Sequence, residues 1–254
     1  MGHRLTAEES RGRRAWLRIV RAEVAIAGGV LTIAAGAWAT SAVHMAGMGG
    51  LWAHPDGAAD FAGSWVVMMA AMMLPAAVPT VVAGRGVIAG RRRPPAIAAG
   101  RVVFLLGYLT VWTAAGLIAY GVLGAVPAGA GLVPAAGVVL VAAGYQLLPV
   151  KRRCLVQACA PPPAPSEGRE LRTALRRGLT AGAWCLGCCW ALMAALLALG
   201  MMSLTWMVGV WGLIMAERLV RRRLTVLGVA IVLVGLAVAI LVGVPVSPMD
   251  RGRM

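Results

Sequence analysis

A chain of 254 residues that is 60% hydrophobic and only 13% charged, with a mean hydropathy of +0.82, is too apolar for an ordinary water-soluble domain. Its formal net charge of +15 comes from 24 Lys and Arg set against 9 Asp and Glu. These basic residues fall in short segments between apolar runs, with no basic helix interleaved with aromatics, which argues against nucleic acid as a partner and for a lipid bilayer.

Apolar runs of near 20 residues recur along the chain, each long enough for a hydrocarbon core about 30 Å thick. The expected fold is therefore all-α, a polytopic membrane bundle of about seven transmembrane helices. Residues 1–22, with Arg4, Arg11, Arg13, Arg14, Arg18 and Arg21, form a basic segment ahead of a transmembrane domain at 23–244. The first run, 24–43, exceeds the usual signal-peptide core of about 7–15 residues and reads as a retained helix. His44, Met45 and Met48 follow in a loop with Gly, Pro and His54, readable as a metal-capture loop or as a merely polar one.

The second span, 64–82, contains Met68, Met69, Met72 and Met73, which pair at i,i+4 spacing on one face. Pro75 and Pro79 follow, each removing a backbone hydrogen bond, so a kink beside the methionines is expected. A third span covers 97–121, and a fourth starts after Pro134 and ends near Gln146 and Pro149. Residues 151–178, with Cys154, Cys159 and a proline-rich stretch, read as the longest inner loop, partly extended and partly a short helix. Spans at 179–202, 204–219 and 224–244 complete the seven, with a short outer tail at 245–254. In this scheme every Lys and Arg except Arg251 and Arg253 lies on one side. The positive-inside rule then puts the N-terminus inside and the C-terminus outside, in a cell membrane of the bacterial inner-membrane type.

Sulfur is concentrated in this pattern. Cys185, Cys188, Cys189 and Met193 fall within about 140° of one face of the fifth span. Away from the termini, methionine is confined to the first outer loop, the second, fifth and sixth spans and the turn at 201–202. Were it only an adaptable packing residue, it would be spread over all seven. Thioether and thiol ligands select soft ions, above all Cu(I). A line runs from His44, Met45 and Met48 through the second-span methionines and Met193 to Cys189, Cys188 and Cys185, ending at Cys154 and Cys159. Zinc fits less well, since methionine ligates it poorly. With all five cysteines away from the outer loops, reduced thiols are the default.

Glu217 lies in the same inner layer as Cys185 and Gln146. A carboxylate there is a functional candidate, accepting a thiol proton when metal binds, or else it pairs with Arg221 one turn on. The leading reading is a non-enzymatic membrane protein that handles Cu(I) as a chaperone, in transfer or in transport, with a copper-donating or copper-accepting protein as partner. A membrane thiol-disulfide oxidoreductase using Cys185 and Cys188 is the enzymatic alternative. An assembly factor for a larger membrane metalloenzyme is another.

The chain also resembles a bacterial family of predicted metal-binding integral membrane proteins, catalogued as domain of unknown function 2182. The resemblance rests on Trp65 with Met68 to Pro75, Gly107-Tyr108 with Trp112, and Gly144-Tyr145-Gln146 with Pro149 and Lys151. It continues through Cys154-Leu155, the block from Cys185 to Met193, and Gly200-Met201 with Trp206-Met207 and Glu217. What it implies is metal binding, with copper as the metal and a handling role. It also implies three residues between the loop cysteines and an Arg after the second. Here four residues separate Cys154 from Cys159, and Ala160 follows, which weakens Cys159 as a ligand more than Cys154.

Overall fold

The computed structural model describes residues 2–45, 57–83, 94–127, 131–160, 170–200, 203–220 and 222–243. Among them are eight helices and no strand: α1 (Gly2–Met45), α2 (Ala58–Ala83), α3 (Pro94–Ala125), α4 (Leu132–Leu147), α5 (Pro149–Ala158), α6 (Glu170–Gly200), α7 (Leu204–Val220) and α8 (Arg223–Leu241). The all-α membrane-type bundle expected from hydropathy is what the chain forms. Five helices are long and apolar enough to cross a membrane, and α4 with α5, bent by 73°, makes up to a sixth. The difference from seven falls on α4 and α7. They have 16 and 17 residues, or about 24–26 Å at a 1.5 Å rise, short of a ~30 Å core on their own.

Local chemistry sets the helix ends. α2 opens at Gly57, whose carbonyl accepts the Phe61 amide at 3.0 Å, and Asp60 in the first turn faces the positive end of the helix dipole. It then runs as one helix through Pro75 and Pro79. At the end of α4, Pro149 cannot donate into the helix and pushes Leu148 into extended backbone (φ −71°, ψ 140°). The same proline then serves as a good first residue for α5. Gly243, at φ 78°, stands just past the end of α8, where a left-handed residue closes a helix most easily.

Within 151–178 the short helix is α5, which takes the first part, and α6 already begins at Glu170, about nine residues before the expected start of the fifth span. The reason is packing: Lys151, Cys154, Leu155 and Ala158 form a buried stripe at helical spacing on α5, and α5 lies against α6.

α6 is the central element, in contact with α3, α4, α5 and α7. Its approach to α3 depends on glycine. A Cβ on Gly178 would overlap the Phe104 carbonyl oxygen, one on Gly182 would lie 2.9 Å from the Tyr108 carbonyl oxygen, and one on Gly107 2.7 Å from that of Leu175. Small residues at four-residue spacing let two backbones come this close. Elsewhere α1 packs on α2 through Val30 and Ala34 against Leu74, and α4 lies along α8. The outward sides of α3 and α8, including Ile118, Val122, Leu224 and Ile231, remain exposed, as lipid-facing surfaces would be.

Candidate metal centre

The four methionines of the second span are fully enclosed. Met68 is 1% exposed, and Met69, Met72 and Met73 are each 0%. They belong to the same core cluster as Cys185, Cys188, Cys189 and Met193. Above them, Trp65 donates its indole N–H to the Trp112 carbonyl at 2.8 Å, and its ring occupies the space a side chain on Gly116 would need. This fixes the rotation of α2 against α3, with Met73 reaching Cys185 of α6.

Cys185 is the hub. Its Sγ lies 4.0 Å from Met73 Sδ and 4.0 Å from Cys189 Sγ. The Tyr108 hydroxyl donates to it at 2.9 Å, and Arg218 Nη2 approaches at 2.8 Å. The same Nη2 is 3.6 Å from Cys188 Sγ, while Nη1 reaches the Ala76 carbonyl at 3.3 Å. Cys188 and Cys189 both turn their thiols onto the Cys185 carbonyl, at 3.1 and 2.8 Å. The three cysteines therefore share one buried side of α6, but they do not converge on a single point. A small cavity borders the hub, with Ala76, Thr80, Tyr108, Cys185 and Arg218 in its wall.

Cys154 stands on the other side of the motif. A Cβ on Gly187 would lie 2.8 Å from its Sγ, so the glycine between Cys185 and Cys188 is what lets α5 seat. The Tyr145 hydroxyl donates to the Gly187 carbonyl at 2.5 Å, and its ring meets Trp190 edge-on with centroids 4.9 Å apart. Cys159 is half-buried and caps the end of α5. All five cysteines are free. The backbone of His44 and Met45 closes α1, but their side chains, and all of Met48, lie outside the described residues.

Glu217 has a partner that neither expectation named. Its two carboxylate oxygens accept from Lys151 Nζ at 2.7 and 2.6 Å, with both side chains buried (1% and 3% exposed). The amine of α5 reaches this carboxylate because α5 folds back on the bundle, a placement a loop reading hides. Arg221 lies outside the described residues. Lys151, which entered the sequence reading only as a topology charge and as part of the resemblance, and Arg218, read as a topology charge, are thus the polar groups beside the site. Neither stood out in the charge pattern, since both lie in the basic clusters that flank the spans. Gln146, 1% exposed, has neither amide atom partnered among the described residues.

Among the described residues no group of three or more His, Cys, Asp or Glu side chains is arranged to hold a metal ion. What stands together is instead a sulfur set of two cysteines and one methionine. With metal–sulfur bonds of about 2.3 Å, two sulfurs 4.0 Å apart subtend roughly 120° at a shared ion. Such a set suits a soft ion of low coordination number.

A family model described as PpoB2, copper chaperone, matches residues 62–240. The chain belongs to this family. The match takes in α2 to α8 almost entirely, and with it the methionine helix, the cysteine block and the buried Lys151–Glu217 pair. A copper-related role is therefore that of the family. No curated protein and no solved structure matches the chain.

Proposed function

We propose that this member of the copper chaperone family holds Cu(I) as cargo inside the membrane, on sulfur ligands centred at Cys185 and Met73. It exchanges the ion with a copper-donating or copper-accepting protein and catalyses no reaction. The observation that carries the reading is that Cys185 Sγ lies 4.0 Å from Met73 Sδ of α2 and 4.0 Å from Cys189 Sγ on its own helix. A thioether beside thiols favours a soft monovalent ion over Zn(II). The remaining methionines of α2, with Met193, extend the lining away from the hub, and the cavity at Arg218 gives the opposite approach.

In this reading the chain is a multi-pass protein of a bacterial inner membrane. Lys151–Glu217 and Arg218–Ala76 gather α5 and the C-terminal parts of α2 and α7 at one end of the bundle. That end carries the exposed Arg152, Arg153 and Arg222, so the positive-inside rule makes it cytoplasmic and places the cysteines in the inner half.

Metal analysis of the detergent-purified protein under reducing conditions tests this. Wild type is expected to retain copper, and the Cys185→Ser, Cys188→Ser, Cys189→Ser triple variant to lose it. Unchanged stoichiometry in the triple variant defeats the proposal. Thiol trapping in the same samples addresses the oxidoreductase reading, which a reversible Cys185–Cys188 disulfide would favour instead.

A further inference from the structure

Arg218 does not behave as a topology charge. Its guanidinium lies against two thiols and a backbone carbonyl, and its Nε is buried without a hydrogen-bond partner among the described residues. The carboxylate next to it in sequence, Glu217, is already committed through both oxygens to Lys151. Within this layer the Lys151 charge is thus matched by Glu217, while the side chains that Arg218 meets among the described residues are the two thiols, with the Ala76 carbonyl beside them.

We propose that Arg218 is the counter-cation of the metal-loaded site and makes it selective for a monovalent over a divalent soft ion. This rests on the reading that Cys185 binds metal. Cysteine ligates as the thiolate, and each thiol that enters protonated releases its proton to solvent. A monovalent ion on the Cys185 and Cys189 thiolates, with the neutral Met73 thioether beside them, forms a unit of charge −1. Arg218, always protonated, brings the site to zero. A divalent ion on the same two thiolates is neutral by itself and leaves Arg218 uncompensated. An unbalanced charge is costly at this depth in a membrane protein. The guanidinium is placed to donate to the Cys185 sulfur without displacing Met73 or Cys189, since all three neighbours approach that sulfur together.

The test uses the full-length protein in detergent under anaerobic, reducing conditions, as wild type, Arg218→Gln, Arg218→Lys and Cys185→Ser. Cu(I) affinity is read by competition with a chromophoric Cu(I) chelator, and Cd(II) affinity by thiolate-to-metal charge-transfer absorbance. Arg218→Gln is expected to weaken Cu(I) about thirtyfold or more, the low end for truncating one partner of a buried charge pair. Cd(II) affinity should hold or rise, and Arg218→Lys should keep most of the Cu(I) preference. Equal loss for both ions in Arg218→Gln would assign Arg218 to packing and overturn the inference, as would no change in either. If wild type and Arg218→Gln bind Cu(I) alike while Cys185→Ser does not, only this inference fails. If wild type binds no Cu(I), the functional reading falls with it.

Discussion

Replacing Lys151 by Met is expected to destabilise the protein by about 3–5 kcal/mol, the usual cost of removing one partner from a buried ion pair. Lys151 and Glu217 are almost fully enclosed, and among the described residues the 2.6–2.7 Å contacts to both oxygens are the only hydrogen bonds of that carboxylate. Without the ammonium, a charge is left inside the bundle with no hydrogen-bond partner among the described residues. The double variant Lys151→Met, Glu217→Leu should recover most of the loss, since two apolar side chains can replace a buried pair at little net cost. Thermal unfolding in detergent, followed by tryptophan fluorescence, distinguishes the two. If the single and double variants melt alike, the pair is not what holds α5 to α7. The same unfolding has a functional side, because the pair fixes the residue before Arg218 and seats α5 where Cys154 meets Gly187.

Cys185→Ser is expected to weaken Cu(I) binding more than any other single sulfur substitution. The loss should exceed the roughly 10–100-fold that removing an outer partner of a metal ligand costs. Among the described residues Cys185 is the one sulfur in contact with both a thioether and a second thiol. Met73→Leu preserves volume and apolar character, so its effect reports the loss of the thioether donor and should be smaller than that of Cys185→Ser. Cys154→Ser should change affinity least, because that sulfur faces the Gly187 backbone from α5. Competition titrations on the three variants give the order, and an effect of Cys154→Ser equal to that of Cys185→Ser would move the hub elsewhere.

The parts of this architecture that were legible in the sequence are those written as periodicity. Met68, Met69, Met72 and Met73 at i,i+4 spacing announced one face, and the cysteine block announced another on a separate span. In the structure Met73 of the first face meets Cys185 of the second. What periodicity could not give is the identity of the polar partners. Arg218 and Lys151 sit in basic clusters where the positive-inside rule explains every residue equally well, so nothing in the charge pattern separates a buried cation from an exposed one. Lys151 was hidden further by the bend at Pro149, which turns a stretch that reads as loop back against α6. The convergence of Cys188 and Cys189 on the Cys185 carbonyl is likewise a matter of side-chain rotation, on which helical phase is silent.

The central claim is that one soft ion is held jointly by α2 and α6. Copper-edge X-ray absorption on the Cu(I)-loaded, full-length protein tests it most directly, comparing wild type with Met73→Leu. The account predicts a first shell of sulfur alone in wild type, losing one sulfur in Met73→Leu while the thiolate sulfurs stay. A shell with nitrogen or oxygen ligands in wild type, or one identical in both proteins, would contradict it.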